Sequence, residues 1–318
     1  CTSRASAPAS AGAVSGTAQQ AAVSLNASGS KLRFQDHSLK ELKAAVKADL
    51  AADGQVDAEI KADGIQLDKE SVTQASLRAK GSAAQHRLDF AAAGSPGELR
   101  LAAEGGWKEQ QWQGQLAEMQ VENKQFGTWK TEQAADLLLS AERCALSGFA
   151  LTQDKVRAAV NGQWTKAGGW QAQAQLDRLS LALLEQWNLP VPENLPEMKG
   201  VLAVSAAAQG QGALPQQAEL TVSLPELALT AEDYEEEGKR STWRWTDNQV
   251  AATLKNDTLR LTAQTKFQDG STAALNASVG NCGNFSKLEK MALSGKAVIN
   301  IMDIAPLTQL TGYVVQTQ

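Results

Sequence analysis

Residues able to do chemistry are few in this sequence, and their spacing assembles no reaction centre. Cys1, Cys144 and Cys282 lie far apart with no C-x-x-C pair, and His37 and His86 stand alone. A zinc site needs Cys and His ligands clustered at short spacing, and a redox pair needs two thiols that meet. Neither is indicated, and the disulfide status of the cysteines stays open. There is no Ser/His/Asp set and no glycine loop of the kind that cradles phosphate. The densest run of carboxylates, "EDYEEEG" at 232–238, reads as a solvated loop. Paired Asp and Glu on a sheet are the raw material of a glycosidase, but no pair singles itself out. The expectation is a protein that is not an enzyme and uses no cofactor and no metal.

What must position side chains here is set by length and composition. The 318 residues suggest about two domains by size alone. Apolar residues make up 43%, yet aromatics only 5%, and much of the apolar share is Ala, so bulky core material is thin. Thirty Lys and Arg against 35 Asp and Glu, with no basic run, remove the electrostatic footprint of a nucleic-acid binder. No apolar run approaches the length of a membrane-spanning helix. Cys1 followed by "TSRASAPASAG" fits a lipid-modified cysteine or a fragment edge, both of which stay open. Residues 1–20 are expected to be disordered or linker-like.

From Ala21 onward the dominant signal has a period of two. Val23/Leu25/Ala27, Val56/Ala58/Ile60/Ala62, Leu99/Leu101/Ala103, Leu259/Leu261/Ala263 and Leu275/Ala277/Val279 alternate with polar residues, as side chains on opposite faces of a strand do. "ADG" at 52–54, "GSPG" at 94–97, "KAGG" at 166–169, "QDG" at 268–270 and "GNCGN" at 280–284 punctuate the runs with turn residues. Helical spacing competes only at Leu39–Leu50 and Leu181–Trp187, the second cut off by the prolines of "LPVPENLP" at 189–196. These features predict many antiparallel strands and almost no helix.

Five times the alternation slips by one. In "WQAQAQLDRLSLALL" (170–184), Ala172, Ala174 and Leu176 are even while Leu179, Leu181 and Leu183 are odd. Comparable slips follow Ala62, Leu116, Leu224 and Ile299, with "DG", "AE", "PE" and "NI" in the gaps. An extra residue in a strand, a β-bulge, restores both apolar sets to one face. The intervals of 54, 60, 48 and 75 residues are too uneven for solenoid rungs. A second repeat joins them: "GGWKEQQWQGQL" (105–116) and "GQWTKAGGWQAQAQL" (162–176) both run Trp, polar turn, Trp-Gln-small-Gln, a hairpin leading into a bulged strand.

A sheet with one apolar face must cover it. With few helices or bulky residues to offer, the expected solution is all-β: an elongated, curled antiparallel sheet whose apolar inner face forms a groove, spanning 21–318 continuously. An uncovered apolar trough marks a binding site, and an alkyl chain of ~16 carbons moved into it gains on the order of 10 kcal/mol. The expected lining is Leu116, Met119, Val121, Leu176, Leu179, Leu181, Leu220, Val222, Leu224, Leu227, Leu259, Leu261, Ile299, Met302 and Ile304. Trp243 and Trp245 in "STWRWTDNQV" share a strand face, which suits sheet packing or the mouth of the groove.

"QWQGQLAEMQV" (111–121), "GTWKTEQAADLLLSAERCALSG" (127–148), "GALPQQAELTVSLPELAL" (212–229) and "GKAVINIMDIAPLTQL" (295–310) resemble, in order and spacing, the middle region of the TamB family. That family lies within the AsmA-like group of periplasmic β-groove proteins. The resemblance implies a β-taco groove, passage of phospholipids between inner and outer membranes, and support for outer-membrane protein assembly. It implies a periplasmic location and a TamA-type outer-membrane barrel as partner. The inner-membrane anchor and the C-terminal segment that engages the barrel are expected to lie outside these 318 residues. The alternative is a secreted β-solenoid or adhesin-like scaffold without lipid cargo.

Overall fold

The computed structural model describes residues 9–17, 20–34, 37–49, 54–67, 70–186, 197–232, 240–282 and 292–302. The chain separates into two compact units, one reaching Gln153 and the other starting at Asp154. Both are built from antiparallel strands.

The first unit runs β1 (Ala9–Thr17), β2 (Gln20–Phe34), β3 (His37–Asp49), β4 (Gln55–Leu67), β5 (Glu70–Ser82), β6 (His86–Gly94), β7 (Gly97–Lys108), β8 (Gln111–Asn123), β9 (Gly127–Thr131), β10 (Ala135–Leu139) and β11 (Arg143–Gln153). From β1 to β8 each strand pairs with the next. β9 and β10 act as one interrupted strand: β8 pairs with both, and so does β11. Ala9–Thr17 depart from the linker expected there, forming β1 against β2. An edge strand is held by backbone hydrogen bonds, which small Ala, Ser and Gly supply as well as larger residues do. Leu39–Leu50 is likewise β-structured, as β3.

The second unit is a meander of β12 (Val156–Thr165), β13 (Gly169–Ser180), β14 (Glu197–Gln211), β15 (Leu214–Glu232), β16 (Arg240–Lys255), β17 (Thr258–Phe267), β18 (Thr272–Val279) and β19 (Leu293–Asn300). The short helix α1 (Leu181–Gln186) follows β13. Turn chemistry fixes the registers. Glu109-Gln110 and Asn256-Asp257 adopt positive φ at both positions, the two-residue turn whose twist matches the strands it joins. Trp107 therefore meets Trp112, and Leu254 meets Leu259. Trp164 and Trp170 form the corresponding pair at the β12–β13 turn, so the repeated Trp hairpin is real.

Three of the anticipated slips are register shifts. In β13 the pairing steps from Leu176↔Val204 to Leu179↔Leu202, with Arg178 at φ 58°. Because Val204 and Leu202 share a face of β14, Leu176 and Leu179 do too. In β8, Ala117 is the extra residue between Leu116 and Met119. In β15 the extra residue lies between Ser223 and Leu227 relative to β14. β16 carries its own insertion around Asp247 (φ 56°) relative to β17, so β15 and β16 stay in register with each other across Pro225.

Two slips differ from expectation. At Asp63-Gly64, β4 shows no register shift against either neighbour. The irregularity is instead shared: Lys31, Lys40, Gly64 and Thr73 are each skipped in the pairing, in line across β2 to β5, and the shift emerges only between β5 and β6. Gly64 takes φ 64°, and a Cβ there would stand 2.8 Å from Lys40 Cβ. At Asn300-Ile301 there is no bulge, because β19 ends at Asn300. The Met302 N–H then bonds Ser271 Oγ at 2.8 Å.

Candidate functional site

Following the registers strand by strand shows what the bulges preserve. In the second unit the line Val160, Ala174, Ala206, Leu220, Ala252, Leu261, Ala277, Gly295 crosses eight described strands without a polar residue. Its neighbour Ala158, Leu176, Val204, Val222, Val250, Ala263, Leu275, Ala297 does the same. The first unit repeats the pattern in Ala27, Ala44, Ile60, Leu77, Phe90, Leu101, Met119.

The opposite face is polar, and charges two apart on one strand pair along it, as period-two geometry requires. Lys43 Nζ lies 2.8 Å from Glu41, and Lys61 Nζ 3.0 Å from Glu59. The hydrogen bond to Glu41 raises the Lys43 pKa. Glu197 is held below the usual carboxylate range first by Lys199 (2.9 Å) and then by Arg240 (3.0 Å).

These apolar faces are not closed over. Leu220 is 42% exposed, Val250 43% and Leu77 38%, although register partners flank each of them. In the second unit the face bounds a cavity of about 530 Å³, walled mainly by Val222, Leu224, Leu227, Val250, Leu275 and Ile299 with Trp245 at the bulge. That size falls within the range of small-molecule sites.

The residues singled out from the sequence fall into four groups. Val222, Leu224, Leu227 and Ile299 line the cavity. Leu176, Leu220 and Leu261 lie on these apolar lines, and Leu259 on the next one, between Leu254 and Val279. Leu116, Met119 and Val121 occupy the corresponding face of the first unit, opposite Ala103, Leu101 and Leu99. The last group departs from a strand-borne lining. β13 stops at Ser180, and Leu181 opens α1. Leu179 and Leu181 are only 3% and 6% exposed, and a Cβ on Gly200 would approach Leu181 Cδ1 to 3.3 Å. Gly200 pairs with Leu227, so α1 is seated on the apolar face and shields this corner. "LALLEQ" favours helix over a further strand once Ser180 has ended the pairing, since its leucines recur at helical spacing. Met302 is exposed beyond the end of β19, and Ile304 lies outside the described residues, as does most of "EDYEEEG".

Trp243 is buried while Trp245 stands edge-on to Phe267, centroids 5.0 Å apart. His86, isolated in sequence, is pinned in space. Trp112 Nε1 donates to its Nε2 at 2.8 Å and its Nδ1 faces the Ser82 carbonyl at 3.0 Å, which together specify the neutral Nδ1–H tautomer. The indole lies over Gly105 and Gly114, where a Cβ would come within 2.8 Å of it. This is sheet packing, not a reaction centre. Cys144 and Cys282 are free thiols, and among the described residues no group of His, Cys, Asp and Glu is arranged to hold a metal. Sequence inspection missed Val250, Leu275, Asn248 and Thr265 as cavity residues, while Trp245, offered for the groove mouth, is on the cavity wall. Folding the chain about each turn would have found them: reflection about Asn256-Asp257 sets Val250 against Ala263.

A family model described as the TamB N-terminal domain matches residues 9–318. The chain belongs to the TamB family. It therefore has a TamB-type role in the cell envelope, in a family not known as enzymatic. The likeness read from the sequence points to the family's middle region, whereas the matching model describes an N-terminal domain. No curated protein and no solved structure matches the chain. Among the described residues of this TamB-family chain, no helix is long and apolar enough to cross a membrane.

Proposed function

We propose that this TamB-family chain is a segment of a periplasmic lipid groove. Its apolar faces carry phospholipid acyl chains between inner and outer membranes, and the assembled protein supports outer-membrane protein biogenesis with a TamA-type barrel. The observation that carries this reading is an unbroken apolar face left open to solvent, with Leu220 and Val250 each more than 40% exposed. Such a face is costly unless occupied. Alkyl chains suit it because they need no hydrogen bonds, and a lining of Ala and branched residues binds methylenes with little preference for position. Antiparallel pairing throughout both units speaks against the rungs of a β-solenoid, which are parallel.

Photo-crosslinkers at Leu220 and Val250 test this in cells producing the full-length protein. Both are expected to label phospholipid, and a crosslinker at Leu179, which is buried, is expected to label protein only. Labelling of a partner polypeptide at Leu220 and Val250, with no lipid adduct, would favour the scaffold alternative. Purified chain that carries no phospholipid in native mass spectra and takes none up would overturn the groove.

A further inference from the structure

The cavity of the second unit is apolar except beside the bulge, where Trp245, Asn248, Gln249, Gln264 and Thr265 share its wall. Four of these are already engaged, with Gln264 Nε2 donating to Gln249 Oε1 at 3.5 Å. Asn248 Nδ2 donates to the Leu224 carbonyl at 2.9 Å, and Thr265 Oγ1 donates to Asn248 Oδ1. The pair thereby satisfies a carbonyl beside Pro225, which has no N–H to give. Trp245 is different. Its ring packs edge-on to Phe267, and its indole N–H, which meets no acceptor among the described residues, stays open to water that a ligand can displace.

An apolar pocket with a few placed polar groups binds its ligand in one orientation. A free donor calls for an acceptor oxygen. No Lys or Arg lines the cavity, so nothing there compensates a phosphate or a carboxylate, and an ionised head would lose its hydration for no partner. An ester carbonyl is the neutral acceptor found at the head of an acyl chain.

We propose that the Trp245 indole N–H is a hydrogen-bonding station for the ester carbonyl of an acyl lipid whose chain lies along Val222, Val250 and Leu275. This rests on the lipid-groove reading and goes beyond it: lipids pause here in a defined register instead of sliding along a uniform wall. The Asn248–Thr265 pair keeps the bulge rigid beneath the station.

The test compares 1-monopalmitoylglycerol with hexadecane as ligands of the purified chain, by displacement of a fluorescent alkyl probe, in wild type and Trp245→Phe. Phe keeps the ring against Phe267 and removes only the N–H. The ester is expected to bind about threefold to tenfold more weakly to the variant, the worth of one neutral hydrogen bond, with hexadecane unchanged. If Trp245→Phe leaves ester binding intact, or weakens both ligands equally, the station is wrong and the groove stands. If neither ligand displaces the probe from wild type, the groove reading fails and the station with it.

Discussion

Arg178 holds a left-handed backbone at φ 58° because the bulge in β13 demands it, and its side chain is exposed. An L-residue there sacrifices about 1–2 kcal/mol, while glycine escapes the strain at an unfolded-state entropy cost of about 0.5–1 kcal/mol. Arg178→Gly is therefore expected to raise stability by about 0.5 kcal/mol, read as a higher urea midpoint. A lower midpoint would show that the guanidinium makes a contact worth more than the strain.

Glu197 offers a pH test at the same scale. Its folded pKa is lowered by Lys199 first and Arg240 second, so the pairing is present above the unfolded value and is lost as pH falls through the folded one. The carboxyl should titrate by NMR below the 4.5 of an unperturbed glutamate. Lys199→Ala should move the midpoint up further than Arg240→Ala does. Both groups are exposed, so global stability should barely register the change.

Single strands in this fold matter less than the rows of irregularity that cross them. In the first unit four neighbouring strands skip a residue in line, from Lys31 to Thr73. In the second, β15 and β16 carry matched insertions around Pro225 and Asp247. Each extra residue adds local twist and bend while returning the apolar side chains to one face. Deleting Arg178 removes one such device. Leu179 would then follow Leu176 at the ordinary two-residue spacing and stay on the apolar face, so a cysteine placed there by Leu179→Cys should remain protected from a maleimide in the deletion variant. A reactive thiol would mean that β13 pairs out of register in the variant, and Arg178 would lose its place as the inserted residue.

Taken as a molecule, the chain spends its apolar residues on open faces more than on closed cores. Among the described side chains larger than alanine, only Cys282 is less than 2% exposed. Two consequences follow for how charge is tolerated. Leu220→Asp places a carboxylate on the open face, where water still reaches it, and should cost about 1 kcal/mol or less in unfolding free energy while abolishing lipid adducts. Leu181→Asp buries the charge between α1 and Gly200 and should cost about 3 kcal/mol or more. Equal costs at the two positions would show that the face is covered after all. Acyl ligand should also raise the melting temperature with concentration, because it binds the folded face and not the unfolded chain. A flat response would count against occupancy.

Period-two alternation, turn residues and scarcity of helix signals are local properties, and they determined the all-β class, the Trp hairpins and the bulges at Ala117 and Arg178. The same locality explains the misreadings. Leu39, Leu42 and Val46 sit at i, i+3 and i+7, which imitates a helix; in space the skip at Lys40 is what separates Leu39 from Leu42 on a single strand face. Leu181 continued an alternation that Ser180 had already ended.

Which residues stand side by side was settled only by tertiary structure, since register couples positions tens of residues apart and a bulge in one strand is defined by what its neighbour does. The cavity with Trp245 and Thr265 on its wall, the seat of α1 over Gly200 and the shared row from Lys31 to Thr73 all arise from that coupling. The sequence by itself specified which side chains face which way along a strand; the fold decided which of those faces water can still reach.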